Sequence, residues 1–169
     1  MCIRDSDNAM LLYLDNNVNN RWNPNENYAR EFLELFTILK GEQKGDDDYT
    51  NYTEHDVQMA AKVFSGFINK NDRSIIDPDT GLPMGYIKVN HHVQEDKIFS
   101  SAFNYKTIKG GTDETTIMQE HEDFVDMVFD QDATSISYVR KLYRFFVKSE
   151  WNQSVENTII IPLAQDLRN

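Results

Sequence analysis

Apolar side chains recur along most of this chain with a spacing of three or four residues, which is the period of an amphipathic helix. Six segments carry the pattern: residues 9–14, residues 25–40, and stretches that begin near positions 53, 112, 134 and 154. Only residues 84–90 alternate apolar and polar side chains, with residues 105–109 as a candidate partner strand. The pattern predicts a mainly α, helical bundle-like domain with a small β-hairpin-like insertion around residues 84–109.

The helix predicted for residues 25–40 carries a carboxylate among its apolar side chains. On a wheel of about 100° per residue, Glu31 falls between Leu35 and Ile38, inside the apolar arc. A buried carboxylate without a partner costs several kcal/mol or takes up a proton. We therefore expect donors around Glu31. They would belong either to a structural network or to a site in which the carboxylate faces a ligand or a metal.

Two further side chains could carry acid–base chemistry. Thr53 lies three residues before Asp56, which is close to a helix capping box, and Asp56 also lies beside the apolar face of its helix. His92 follows the predicted strand, and a histidine near carboxylates can act as a base. The candidate catalytic residues are therefore Glu31, Asp56 and His92. The candidate binding residues are the other polar groups of these segments, namely Asn25, Glu26, Asn27, Arg30 and Lys97.

Metal-binding and nucleotide-binding motifs are absent from the sequence. The four histidines do not have the spacing of a zinc site, and the acidic loops do not follow the pattern of a calcium-binding loop. There is no glycine-rich phosphate loop and no nucleophile elbow. We predict no metal site, and the sequence identifies no cofactor.

Composition limits the kinds of partner. The 169 residues carry a net charge of −11, which repels nucleic acid and anionic membranes. No run reaches the roughly eighteen apolar residues of a membrane span. Residues 1–6 resemble a translated adapter found in environmental sequences, so we treat them as a non-biological leader. Residues 7–169 are then one incomplete helical domain.

Several runs resemble one bacterial family. They are residues 9–16, the Asn25–Phe36 segment, Tyr52–Val57 and residues 141–146, and together they are similar to the domain-of-unknown-function family numbered 1800, in its Bacteroidetes-like version. The resemblance implies a mostly helical protein that is usually exported, often encoded beside another uncharacterised exported family, and without an agreed activity. Relatives typically carry His-Asp before the lysine matched by Lys97, whereas this chain has His92–Val93.

Two functions fit these observations. The first is an exported accessory or interaction domain with a buried Asn/Glu/Arg network, whose partner is a protein or a glycan, or a member of the neighbouring exported family. The alternative is a hydrolase-like enzyme that uses the Glu31 and Asp56 carboxylates with His92, while Arg30 orients an anion. The sequence does not decide whether the protein is an enzyme.

Overall fold

A computed structural model describes residues 7–46, 48–78 and 80–168, so the proposed leader at residues 1–6 lies outside it. Helices dominate the described residues. They are α1 (Asn8–Tyr13), α2 (Asn27–Glu31, continued by a π-helical turn over Phe32–Phe36), α3 (Glu54–Val63), α4 (Glu114–Phe129), α5 (Asp132–Phe146) and α6 (Gln153–Val155, a π-helical turn over Glu156–Ile160, and Ile161–Asp166). Short 3-10 turns cover Asn16–Val18, Val89–His91 and Ser101–Phe103.

Two small antiparallel ladders complete the fold. Strand β1 (Phe67–Ile68) pairs with β2 (Tyr86–Ile87), and β3 (Lys97–Ile98) pairs with β4 (Thr107–Ile108). The predicted fold class, mainly α with a small hairpin insertion, is confirmed. The predicted pairing of residues 84–90 with residues 105–109 is wrong, because the strand at 86–87 pairs with the segment that directly follows α3. Both ladders have only two residues per strand, too few for the sequence to specify a partner.

Helix α2 is shorter than predicted and turns differently. It ends at Phe36, and Thr37 leaves the helical region with φ −125° and ψ −101°. A π-helical turn takes more residues than an α-helical turn, so side chains beyond Phe32 rotate away from a 100° wheel. Leu33 is consequently fully buried, whereas Leu35, predicted to point inward, is 52% exposed.

The main core lies where α2, α3 and α4 meet. Phe64 packs against Phe32 and Phe124, with ring centroids 5.3 and 5.4 Å apart. Ala60 and Ala61 on α3 are fully buried, and their small side chains let neighbouring helices approach closely. Each large apolar side chain buried here contributes roughly 1.5–3 kcal/mol. This core fixes the two ends of α3, where the polar sites described below are built.

A second, smaller core joins α5 to α6 around Val139, Ile160 and Ala164. Leu142 and Phe146 follow the apolar period of α5, but they are 53% and 74% exposed. Helix α6 covers one side of α5, and the segment that ends α2 contacts another, where Ser137 and Lys141 donate to the carbonyls of Thr37 and Leu35. Within the described ranges, no helix is long and apolar enough to cross a membrane.

Candidate functional site

The carboxyl end of α3 positions His92. Gly66 has a φ of +82°, and a Cβ there would lie 3.0 Å from the backbone nitrogen of His92. Glycine therefore lets the loop after β2 pack against the helix end. The ring of His92 donates from Nδ1 to the carbonyl of Ser65 over 2.8 Å, and the Val93 N–H donates to the Ser65 hydroxyl over 2.9 Å.

His92 belongs to a fully buried group of charges. Its Nε2 lies 2.9 Å from Oε2 of Glu120 on α4, and Nζ of Lys97 on β3 lies 2.5 Å from Oε1 of the same carboxylate. The approach of the amine to Oε1 lacks hydrogen-bond geometry, so this contact is an ion pair. The Gly111 N–H also donates to Oε2, over 2.6 Å. We call His92, Lys97 and Glu120 the buried charge cluster.

The cluster sets one carboxylate between two basic groups. Nδ1 of His92 donates its hydrogen to a carbonyl, and Nε2 lies within hydrogen-bond distance of Glu120. Burial lowers the pKa of the Lys97 amine, and the Glu120 carboxylate opposes that shift. Lys97 also donates to the Val93 carbonyl over 2.5 Å. Every basic group of the cluster therefore contacts an acceptor inside the protein.

Asp56 lies at the other end of α3 and is also fully buried. It completes the predicted capping box: its Oδ2 accepts from the N–H of Thr53 over 2.8 Å, and the Thr53 hydroxyl accepts from the Asp56 N–H. Ser100 donates to both carboxylate oxygens, from its backbone N–H and from its hydroxyl, each over 2.7 Å. The carboxylate thus joins the start of α3 to the segment after β3, and both of its oxygens accept hydrogen bonds.

Glu31 does not have the environment that the wheel predicted. Its side chain is half-buried, and it forms no ion pair with another described residue. The prediction that this carboxylate is enclosed by apolar neighbours is wrong, because the π-helical turn starts directly after it. Its proposed catalytic role remains a prediction.

The predicted binding residues form two further groups. Arg30 pairs with Glu54 over 2.6 Å and with Glu26 over 3.3 Å, at a partly exposed position. The hydrogen bond to Glu54 raises the pKa of Arg30. Asn25 caps the turn before α2 by accepting from the Asn27 N–H, and Asn27 donates to a backbone carbonyl at the end of α1.

Among the described contacts, the predicted site residues do not converge on one position. Lys97 and His92 meet, as members of the buried charge cluster. Asp56 is bonded to Ser100 instead, and Arg30 is paired with Glu54. Among the cavities on the described surface, four of about 440–540 Å³ are lined neither by Asp56 nor by the cluster. The part of the chain in view also contains no group of three metal-ligating side chains.

Glu120 was not predicted as a site residue, although the sequence carries a signal for it. Glu120 comes three residues after Ile117 and four before Phe124, which are both fully buried, so the helical period places it on the inner face of α4. Buried Asn16 and Asn19 were also missed. They donate to carbonyls of α3 and of the turn after it, and no periodic pattern marks residues of a loop.

A comparison with protein families gives one match. The family model described as protein of unknown function, DUF1800, matches residues 4–169. The chain belongs to the DUF1800 family. No curated protein and no solved structure matches it. Membership confirms the resemblance found in the sequence and assigns no reaction to the buried charge cluster or to Asp56.

Proposed function

We propose that this DUF1800 chain is an accessory or interaction domain, whose buried polar groups stabilise the fold and whose surface binds a partner. One observation carries the proposal: Asp56 and His92, two of the three candidate acid–base groups, are closed off from solvent and hydrogen-bonded within the protein. A general acid or base must come within hydrogen-bond reach of a substrate. Neither group can do so while the fold stays closed.

The hydrolase-like alternative has less support. Of its three residues, Glu31 alone is partly open to solvent, and the described contacts place no His, Arg or Lys side chain on it. His92 and Asp56 share no hydrogen-bond partner among the described residues. A catalytic pair needs its members to hold a proton or a substrate between them.

The exposed aromatic side chains support a binding role. Trp22 is 68% exposed, with the Arg21 guanidinium 5.7 Å from its ring and the His91 ring 5.2 Å away. Large aromatic groups with a cationic neighbour are common in surfaces that bind proteins or glycans. We further propose, from the family resemblance, that the protein is exported and that its partner comes from the neighbouring exported family.

Binding and hydrolysis can be separated experimentally. We would measure binding of this chain to a member of the proposed partner family, and hydrolysis of a panel of ester, amide and glycoside substrates. We expect Trp22→Ser to weaken binding by roughly tenfold without changing the melting temperature, as for a surface hot spot. Hydrolysis that disappears in Glu31→Gln, while the melting temperature is unchanged, would overturn the proposal. Exposed Glu122→Gln serves as the matched control.

A further inference from the structure

We propose that the chain binds a small organic phosphate in a cavity beside α5, through Arg144 with Lys141 next to it. The inference goes beyond the proposed interaction function, because it concerns a small molecule rather than a protein or a glycan. The cavity has a volume of about 440 Å³ and lies where α5, Leu39 after α2, and Trp151 and Glu156 meet. Ligand pockets of proteins commonly measure about 300–1,000 Å³. We call this space the basic cavity.

One face of α5 supplies the basic lining. Ser137, Arg140, Lys141 and Arg144 all line the cavity, and their spacing is i, i+3, i+4 and i+7. At about 100° per residue, these four positions fall within an arc of about 100°. The opposite wall contributes one carboxylate, that of Glu156. The lining therefore has an excess of positive charge, in a chain whose net charge is −11.

The carboxylate of the basic cavity is satisfied within the protein. Oε1 of Glu156 accepts from Nε and Nη2 of Arg140 over 2.9 and 2.6 Å, and Oε2 accepts from the indole N–H of Trp151 over 2.6 Å. Burial raises the pKa of Glu156, but the hydrogen bonds from Arg140 and Trp151 outweigh that effect and lower the pKa. Glu156 thus stays ionised and compensates the charge of Arg140.

Arg144 lines the cavity without a counter-charge. Its Cζ lies 5.6 Å from the centroid of the Trp151 ring, a cation–π contact that positions the guanidinium. Among the described residues, none accepts a hydrogen bond from Arg144 or forms an ion pair with it. An arginine presents five N–H donors in a planar fork, which fits two oxygens of a phosphate. The donors of Arg144 are therefore available to a ligand.

Lys141 adds a second basic group to the same face. Its Nζ donates to the carbonyl of Leu35 over 2.5 Å, which holds the amine on the α2 side of the cavity. A carbonyl is neutral, so this hydrogen bond leaves the charge of the ammonium in place. An ammonium has three donors and binds phosphate as a compact point charge. Arg144 and Lys141 thus flank the cavity on one side.

The charge and shape of the cavity favour a phosphate attached to an organic group. A phosphate monoester carries a charge of about −1.5 to −2 at pH 7, which matches two basic groups better than a single carboxylate does. The cavity also has apolar walls, formed by the Trp151 ring and the half-buried Leu39. Apolar surface of this kind stabilises the organic part of a ligand by removing it from water. Both features together select a small phosphate ester.

The fluorescence of Trp151 can report binding directly. The chain contains two tryptophans, so Trp22→Phe leaves Trp151 as the only one. In this background we would titrate phenyl phosphate, inorganic phosphate and benzoate at constant ionic strength, because salt screens charges. We expect phenyl phosphate to give a saturable change with a Kd below about 1 mM, within the range of common substrate affinities. Inorganic phosphate lacks the ring and benzoate lacks the second charge, so each should bind at least roughly fivefold more weakly.

Variants of three basic residues show whether the cavity is the site. Arg144→Gln should raise the Kd for phenyl phosphate at least roughly tenfold, and Lys141→Gln roughly threefold. Both side chains are exposed, so the melting temperature should stay within about 2 °C. Lys148→Gln is the matched control, because Lys148 is exposed, lies near Arg144 in the chain and does not line the cavity. It should change the Kd by less than about twofold.

Several results would overturn the inference. One is a signal that does not saturate below about 10 mM phenyl phosphate. Another is equal weakening by Lys148→Gln and Arg144→Gln, which would indicate a diffuse positive surface. Benzoate or inorganic phosphate that binds as tightly as phenyl phosphate also contradicts an organic phosphate ligand. So does a response to phosphatidylglycerol vesicles without a response to phenyl phosphate. None of these results bears on the wider interaction function, which the Trp22→Ser and hydrolysis measurements test separately.

Discussion

Replacing Glu120 with glutamine tests whether the buried charge cluster stabilises the fold. The carboxylate contacts Lys97 over 2.5 Å, His92 over 2.9 Å and the Gly111 N–H over 2.6 Å. Glutamine keeps the volume and one acceptor but removes the negative charge. Two basic groups then remain next to each other without a counter-charge, away from water.

The expected loss of stability follows from these contacts of Glu120. Removing one partner from a buried ion pair destabilises a protein by about 3–5 kcal/mol, because a charge is left uncompensated. We expect Glu120→Gln to lose that much of a total stability of about 5–15 kcal/mol. Lys97→Met should lose less, about 1–3 kcal/mol, because the Val93 carbonyl and Oε1 of Glu120 lose their contact with the amine, whereas Oε2 keeps His92 and Gly111.

Urea denaturation at pH 7, followed by circular dichroism, measures both values. Glu122→Gln is the control, because Glu122 is exposed on the same helix and its loss should change stability by less than about 0.5 kcal/mol. If Lys97→Met destabilised the protein as much as Glu120→Gln, the assignment of the carboxylate as the common partner of Lys97 and His92 would be refuted.

Three further changes have defined outcomes. Burial lowers the pKa of His121 from 6.5 to about 4, so between these pH values the unfolded chain binds a proton that the folded chain does not bind. Stability should therefore fall by about 3 kcal/mol as pH drops from 6.5 to 4, and His121→Phe should remove this loss in urea titrations. Asp56→Asn should cost about 1–3 kcal/mol in thermal unfolding. Gly66→Ala should lower the melting temperature more than Gly81→Ala: both have positive φ, but only Gly66 has backbone atoms 3.0 Å from the new Cβ.

The capping box and the helical period allowed much of the fold to be predicted. Thr53 and Asp56 mark the start of α3 as the structure has it, and the small and aromatic residues of this helix form the core. The orientation of α2 was not predictable from a fixed period, because its second half is π-helical. As a result Leu33 is buried and Leu35 is exposed, the reverse of what the α-helical period indicates. The error in placing Glu31 has the same origin.

The site was predicted only in part. His92 and Lys97 were singled out, yet their common partner Glu120 comes from a helix that begins more than fifteen residues after Lys97. A helical wheel shows on which face of its helix a residue lies, but not which residue of another element contacts that residue. The exposure of the apolar residues at the end of α5 was also not predicted, because the sequence pattern of an apolar stripe does not show whether the stripe is covered within the chain.

Hydrogen exchange at the imidazole ring of His92 tests most directly whether the cluster is closed to solvent. In a protein with ¹⁵N-labelled histidine, we predict that the Nδ1–H bonded to the Ser65 carbonyl exchanges only through global unfolding. The free energy of exchange of this hydrogen should then equal the free energy of unfolding. Both should decrease with urea concentration to the same extent. Rapid exchange that does not depend on urea would show that water reaches His92 in the folded state and would contradict a purely structural role.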